Sequence, residues 1–392
     1  MKKRFLRDIA EIQTGPFGSQ LHKEDYVDVG TPIVTVEHLG CRVFSEQNLP
    51  MVSDTDKSRL SKYVLKKGDI VFSRVGSVDR CSFVDPKHDG WMFSGRCLRV
   101  RPSEEVDSLF LYYFFCLNTT KEFVRSIAVG ATMPSINTKL LGEVEVVCPE
   151  IEEQRKIADI LSKIDDKIEE NQKINENLEQ QAQAIFANEF LSLESLPDGW
   201  KQGSLIDIAD YLNGLAMQKY RPAADEVGIP VLKIKELRQG CCDATSELCS
   251  PNIKTNYIIH DGDVIFSWSG SLLVDFWCGG ICGLNQHLFK VTSSVYDKWF
   301  YYAWTKHHLE RFIAVAADKA TTMGHIKRDE LSKAAVLIPN EADYNRIESL
   351  LRPIYDLIIT NRIECKKLAE TRDILLPKLM SGEIDISEVD YE

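Results

Sequence analysis

Five cysteines concentrate in the second half of the chain, and their thiols are the side chains best suited to metal chemistry. They are Cys241, Cys242, Cys249, Cys278 and Cys282. Structural zinc sites use short paired cysteine spacings or cysteines with a matched pair of histidines. The spacings here are irregular and no such histidine pair accompanies them. The pattern therefore favours buried thiols, and we predict no metal site.

Motifs for catalysis and cofactor binding are absent from the sequence. It has no Gly-x-x-x-x-Gly-Lys-Ser/Thr loop, no dinucleotide fingerprint and no Asn-Pro-Pro-aromatic motif of adenine methylation. The glycine-rich "GPFGS" at Gly15 is explained by a tight turn at least as well as by a phosphate-binding loop. The acids of the Gly-Asp pairs are typical of turns. We predict that the chain has no catalytic residue and binds no cofactor itself.

The elements that would position any site are organised as a repeat, because segments of the first half return in the same order in the second. "DIAEIQTG" from Asp8 returns as "DIADYLNG", "GTPIVTVEHL" as "GIPVLKIKEL", and "GDIVFSRVGS" as "GDVIFSWSGS". "ATMPSI" from Ala131 matches "TTMGHI" from Thr321. This order predicts two similar modules, an arrangement that suits a two-sided ligand such as DNA.

The charge distribution limits how such modules could bind DNA. The net charge is −12, but residues 1–149 carry 20 basic and 19 acidic side chains, whereas residues 150–190 carry 5 and 11. The residues from Glu383 onward add five acids and no base. The acidity therefore belongs to a helix and a tail, and a strongly basic, non-specific DNA binder is excluded. The scattered cysteines, with no signal peptide and no membrane-length apolar run, predict a cytoplasmic protein.

Each module reads as a mixed α/β fold. A short helix after Arg7 or Leu205 precedes a glycine-rich turn and short strands, which include Ile70 to Ser73 and Val264 to Ser267. An aromatic helix and a last strand follow in both halves. Strands this short and interrupted do not predict a doubly wound parallel sheet.

After each module the apolar spacing changes to a 4-3 repeat, which is typical of coiled coils. Asn171 and Asn361 occupy matching seam positions 190 residues apart, and buried asparagines fix the register of such helices. Because these stripes are too long for one small domain, we expect the two helices to pack on each other. Pro353 should kink the second helix or delay its start.

The ordered motifs resemble type I restriction–modification specificity subunits over essentially the whole chain. The most diagnostic are "CPEIEEQRKIADIL", with Pro149, Gln154 and Ile157, and the terminal "LLPKLMSGEI". The second copy departs from the pattern, because Tyr344-Asn345 replaces Glu-Gln. The resemblance implies two α/β target-recognition domains separated by a long antiparallel two-helix coiled coil. The predicted boundaries are 1–149 for the first domain, 150–192 for the first long helix, 193–340 for the second domain, 341–382 for the second helix and 383–392 for an acidic tail.

The resemblance also implies a function. Each domain would read half of an asymmetric, bipartite double-stranded DNA target. Two methylation subunits with S-adenosylmethionine would methylate adenine, and restriction subunits with ATP and magnesium could join them. An interaction scaffold that binds only protein through its coiled coil is the alternative, and the absent motifs argue against a nuclease or methyltransferase fragment.

Candidate DNA-reading residues are the polar, basic or aromatic side chains of the repeated turns, since arginine favours guanine and glutamine favours adenine in the major groove. They are Ser19, Gln20, Lys23, Arg74, Ser77 and Arg96 in the first half, and Gln218, Trp268, Ser271, Gln286 and His287 in the second. The diagnostic helix motifs of the resemblance imply a second set, which would bind partner subunits: Gln154, Arg155, Ile157, Leu375 and Leu376.

Overall fold

The structure, a computed structural model, describes residues 2–16, 18–318 and 328–386. It divides into two compact units. Unit 1 contains the chain up to Asp166 and again from Ala369, and unit 2 runs from Lys167 to Leu368. The repeat "TTMGHI" from Thr321 lies outside the described residues, as does the end of the acidic tail after Ile386. The division cuts both long helices, so the domain boundaries given above stay predictions.

The two units contain the same kinds of elements, and their order along the chain differs in the position of one short helix. Unit 1 has strands Lys2–Phe5, Ala10–Thr14, Tyr26–Val27, Thr31–Val34, Met51–Val52, Ile70–Ser73, Cys81–Phe83, Met92–Phe93, Cys97–Pro102 and Glu145–Cys148, and helices Leu6–Ile9, Asp54–Arg59, Ser108–Cys116, Asn118–Ile127 and Thr138–Leu141. Unit 2 has strands Lys201–Ser204, Asp210–Asn213, Ile229–Leu232, Leu248–Cys249, Ile258–Ile259, Val264–Ser267, Leu273–Phe276, Cys282–Leu284, Leu288–Thr292 and Ala335–Ile338, and helices Leu205–Ile208, Ile234–Gln239, Lys298–His307, Leu309–Asp318 and Arg328–Ser332.

Each unit has a central antiparallel sheet of four strands. In unit 1 the neighbours are Ala10–Thr14, Cys97–Pro102, Ile70–Ser73 and Cys81–Phe83, in that order. The second unit repeats this order with the strands that begin at Asp210, Leu288, Val264 and Leu273. The aromatic helix covers the sheet in both units, with Phe115 edge-on to Phe72 at 4.7 Å and Tyr302 stacked on Phe276 at 4.0 Å. The predicted mixed α/β class is confirmed.

The glycine–aspartate pairs before the central strands form tight turns, as the sequence predicts. Gly68 and Gly262 have φ of 90° and 87°, a region that favours glycine. Asp69 and Asp263 each accept a hydrogen bond at 2.8 Å from the backbone N–H three residues earlier. The two acids are therefore built into the turns.

A second, mixed sheet lies beside the central one in each unit. Strand Thr31–Val34 pairs in parallel with Met92–Phe93, and Ile229–Leu232 pairs in parallel with Cys282–Leu284. In each module one further two-stranded ladder pairs the first strand with the last. Lys2 lies opposite Cys148 in the first module. Lys201 and Ile338 are paired in the other. Each module is therefore closed at its own entry and exit.

Two long helices carry the 4-3 repeats. The first spans Ile151–Phe186 and is followed by a π-helical turn, Ala187–Leu191, and the second spans Glu341–Ser381. The expectation that Pro353 delays the second helix is wrong, because that helix starts twelve residues earlier and continues through it. Pro353 is exposed. Water can therefore hydrate the carbonyl that loses its helical N–H partner.

Within unit 2 the long helices run antiparallel and are joined by buried asparagines. Asn171 donates its Nδ2 hydrogen to Glu364 at 2.7 Å. Asn361 donates to the Oδ1 of Asn175 at 2.9 Å, and Asn175 donates to the carbonyl of Ile358 at 3.3 Å. These bonds tie the register to particular residues, as expected for asparagines in a helix seam.

Within unit 1 the same two helices are also antiparallel, and a buried carboxylate joins them. Asp165 accepts from Arg372 at 2.7 Å and from the hydroxyl of Tyr113 at 2.7 Å. Asp165 therefore links the aromatic helix to both long helices of this unit.

Among the helices that the structure describes, none combines the length and apolarity needed to cross a bilayer.

Candidate nucleic-acid interface

Two arginines meet at one end of the central sheet of unit 1. Ser73 lies opposite Cys97 in the last pair of the ladder, so the next residue along one strand and the residue before the other are neighbours. The backbone N–H of Arg74 donates to the carbonyl of Arg96 at 2.8 Å. The strand pairing thus brings together two residues that were selected separately from the sequence.

Arg74 and Arg96 line a cleft of about 570 Å³. Its wall includes Pro16 and Gly18 of the glycine-rich turn, and Glu37 of a short helical turn. Arg74 is half-buried and donates from Nη1 to the carbonyl of Gly95 at 2.9 Å, whereas Arg96 is exposed. Arg96 is consequently the side chain better placed to reach a ligand.

The "GPFGS" glycine has a packing reason. A Cβ on Gly15 would lie 2.1 Å from the carbonyl oxygen of Ser94, and a Cβ on Gly214 would lie 2.2 Å from that of Asn285. Because neither glycine has a Cβ, each turn can lie against the backbone just before a central strand. That strand is Cys97–Pro102 in unit 1 and Leu288–Thr292 in unit 2. This close approach explains the motif without a phosphate.

The other candidates in the first half are placed less tightly. Ser19 and Ser77 are exposed. Gln20 accepts a hydrogen bond from the Tyr63 hydroxyl at 2.7 Å, so its amide already serves the fold. The side chain of Lys23 lies outside the part of the chain that the structure describes.

In unit 2 the positions of Arg74 and Arg96 are taken by Trp268 and His287, because Ser267 lies opposite Leu288 in the matching ladder. Trp268 is half-buried, donates from Nε1 to Asn213 Oδ1 at 3.0 Å, and its ring centroid lies 6.4 Å from that of His287. His287 is exposed and its Nδ1 lies 3.1 Å from the Ser269 hydroxyl. An aromatic and an imidazole thus stand where unit 1 has two guanidinium groups.

Of the three remaining predicted residues, Gln286 contacts this cluster, whereas Ser271 and Gln218 lie elsewhere on the loops. Gln286 Nε2 lies 3.4 Å from the Nε2 of His287, and Ser271 Oγ accepts a hydrogen bond from Arg238. Gln218 is exposed in the turn Met217–Lys219, and no hydrogen bond links it to another described residue.

Sequence reasoning did not select three polar residues at these loops: Glu37 in unit 1, and Asn213 and Arg238 in unit 2. Each was within or next to a repeated motif. The available signal was the exchange of side-chain type at matched positions, as in "VEHL" against "IKEL". At these loops the polar side chains differ between the two copies.

The proposed partner-binding residues are mostly buried in unit 1. Gln154 accepts from the backbone N–H of Asp107 at 2.9 Å and donates to the carbonyl of Pro149 at 2.9 Å. Ile157 and Leu376 belong to the hydrophobic core, Leu375 is half-buried against it, and Arg155 is exposed beside Glu152. Burial gives most of them a role in the fold, and their contact with a partner stays a prediction.

The five cysteines from Cys241 to Cys282 carry free thiols. Cys249, Cys278 and Cys282 are buried, and Cys241 and Cys242 are half-buried. Burial raises the pKa of Cys249 to about 11 and that of Cys278 to about 12, whereas metals bind the thiolate. Across residues 2–16, 18–318 and 328–386, no group of three or more His, Cys, Asp or Glu side chains could hold a metal ion.

Comparison with known proteins identifies the family. A family profile described as "Type I restriction modification DNA specificity domain" matches residues 1–180 and 197–368. The MjaIX specificity subunit of Methanocaldococcus jannaschii is 30% identical over 315 residues, which cover 74% of this chain and 72% of that protein. The HindI specificity subunit of Haemophilus influenzae is 22% identical and covers 90% of this chain and 92% of its own length.

A solved structure supports the fold. The crystal structure of the type I restriction–modification system S subunit from M. genitalium superposes with a TM-score of 0.61 at 16% identity, covering 96% of this chain and 95% of that one. The predicted resemblance is confirmed. The chain belongs to the family of type I restriction–modification DNA specificity subunits.

Proposed function

We propose that the two modules read different halves of one asymmetric, bipartite double-stranded DNA target. The main support for this proposal is that the two modules share a scaffold but differ in the side chains that the scaffold presents. The same two loops at the same end of the same sheet present Arg74 and Arg96 in unit 1 but Trp268 and His287 in unit 2. Arginine donates to guanine, whereas histidine and tryptophan offer other contacts, so two such clusters select different base pairs.

The charge balance supports recognition by placed contacts. A net charge of −12 gives no general attraction to DNA, so sequence-independent phosphate binding is weak for the chain alone. Base-edge contacts at the two loops, with further affinity from partner subunits, account for binding better.

The partners and cofactors follow from family membership as proposals. Two methylation subunits would assemble with this chain in the cytoplasm and transfer a methyl group from S-adenosylmethionine to adenine. Restriction subunits would bring ATP and magnesium. This chain would supply the sequence choice, and the two long helices would set the number of unread base pairs between the half-sites.

The test is selection of binding sites from a random pool of double-stranded DNA by the complex of this chain with its methylation subunits. Arg96→Ala should lower the preference at one or two base pairs of one half-site by about 5- to 100-fold and leave the other half unchanged. His287→Ala should do the same to the other half. Lys3→Ala removes an exposed cation on the closing ladder, away from the cleft, and is the control.

A coiled-coil scaffold that binds only proteins is the competing function. The long helices with a 4-3 repeat favour it, because such helices also form protein interfaces. It predicts that the selected pool shows no sequence preference and that Arg96→Ala and His287→Ala have no effect on it.

A further inference from the structure

A carboxylate lines the cleft of unit 1 together with two cationic side chains. Glu37 is exposed and lines the cleft with Arg74 and Arg96. It forms no hydrogen bond or ion pair with any residue that the structure describes. Its charge is therefore not used by the fold and is available to a ligand.

The backbone that presents Glu37 is fixed by its neighbour. The ring of His38 is buried, its Nδ1 accepts from the backbone N–H of Thr35 at 3.0 Å, and its Nε2 donates to the carbonyl of Gln47 at 3.1 Å. These bonds hold the turn Val36–His38 at the end of a buried parallel strand. Glu37 thus stands on a rigid support, which a specific contact requires.

In the second unit the equivalent turn is again held by one buried residue, while its exposed neighbour is of a different type. Glu236 takes the place of His38: it is buried and accepts from the backbone of Lys233 at 3.3 Å and from Ser246 at 3.0 Å. Lys235 takes the place of Glu37, and its ammonium group is bound by Asp243 at 3.1 Å and Thr245 at 2.8 Å. The scaffold therefore does not require a glutamate at this position, and the charge is reversed between the two copies.

A carboxylate at a DNA-binding surface is repelled by the phosphates. It therefore lowers affinity for every sequence unless a hydrogen bond from a base offsets this repulsion. The groups that can do so are exocyclic amino groups, and among base edges the cytosine N4 amino group is the usual partner of glutamate. An arginine in the same cleft can donate hydrogen bonds to guanine. A cleft with both signs of charge is thus suited to discrimination between base pairs.

We propose that Glu37 is a specificity-determining residue of the first module and accepts a hydrogen bond from the N4 amino group of a cytosine in its half-site. This inference rests on the proposed function of the module. It adds the residue and the chemical group that it selects.

The experiment compares wild type with Glu37→Gln and Glu37→Ala, each in complex with methylation subunits, by selection from a random duplex pool. Glutamine keeps the size but pairs best with adenine, so E37Q should move the preference at one base pair from cytosine toward adenine by at least about fivefold. E37A should remove the preference at that base pair. The other half-site should be unchanged in both, and their thermal unfolding should match wild type because Glu37 is exposed.

Glu104→Gln is the matched control. Glu104 is also exposed, but it lies beyond the far end of strand Cys97–Pro102 from Arg96. The control should raise binding slightly and equally for all sequences. If E37Q and E37A behaved like E104Q, with the wild-type preference intact, the Glu37 assignment would be overturned and the proposed function would stand. If wild type showed no sequence preference at all, the proposed function would fail and the assignment with it.

Discussion

The hydroxyl of Tyr344 accepts a hydrogen bond from the backbone N–H of Asp297 at 2.9 Å. Gln154 accepts the equivalent bond from Asp107 at the same distance. Both aspartates are N-caps of the aromatic helices, so the start of each long helix is fastened to the start of an aromatic helix. The departure at Tyr344 from the family motif therefore preserves the contact that Gln154 makes.

Removal of the tyrosine hydroxyl tests this equivalence. Tyr344→Phe leaves the Asp297 N–H without its acceptor, and we expect a loss of about 1 kcal/mol in unfolding free energy. Hydrogen exchange at the Asp297 amide should accelerate, while the core of unit 1 is unaffected. Tyr220→Phe, at an exposed tyrosine, is the control. An unchanged exchange rate at Asp297 would show that this bond is not formed in solution.

The asparagine pair in unit 2 should behave as a coupled unit. Asn175→Leu leaves the Asn361 amide buried without its acceptor, and Asn361→Leu removes one partner of Asn175, so each should cost about 1–3 kcal/mol. The double variant should cost less than the sum, because no buried amide of this pair remains unpaired. Denaturant unfolding of the four proteins gives the coupling energy. Strict additivity would rule out the pairing.

Two histidines should make unit 2 sensitive to acid. Burial lowers the pKa values of His307 and His308 below 6.5, and His308 Nε2 donates to the carbonyl of Ala335 at 2.8 Å. The unfolded chain therefore binds protons first as pH falls below about 6.5, so unfolding free energy is highest above that pH and decreases below it. His308→Gln keeps a donor and removes one titrating group. It should flatten the decrease between pH 7 and 5 in denaturant titrations, and an unchanged slope would contradict the assignment.

The length of the helix pair should set the distance between half-sites. Asn175 contacts Ile358, so insertions after Glu176 and after Ile358 lie opposite each other. Seven residues in each helix keep the 4-3 seam in phase and add about 10.5 Å, or roughly three base pairs. Sequencing of methylated sites should show a longer unread spacer with the same half-sites. An insertion in one helix alone breaks the seam and should destabilise the chain.

The repeat made most of the fold predictable from sequence, because its motifs mark turns and buried strands that depend on local chemistry. Gly68 and Asp69 are an example, since both are required by one turn. The equivalence of Arg96 and His287 could not be seen, since it follows from strand register and not from similar letters. The motif around Gln154 does not reveal that its side chain is buried, and its contact with a partner stays a prediction. The second helix continues through Pro353 because an exposed helix face tolerates proline.

The chain is a DNA specificity subunit and is itself non-catalytic, as the family to which it belongs implies. Because we predict that this chain directs adenine methylation, the positions of methylated adenines would report its sequence specificity directly. Because Lys2 and Cys148 are paired at the ends of the first module, we expect that this module can be replaced as a cassette.

The most direct test is to exchange residues 1–149 for the equivalent module of a relative with another target and to map methylated adenines genome-wide in cells that contain the methylation subunits. We expect a new sequence in one half-site, with the other half and the spacer unchanged. A change in both half-sites, or in neither, would contradict the claim that the two modules read DNA independently.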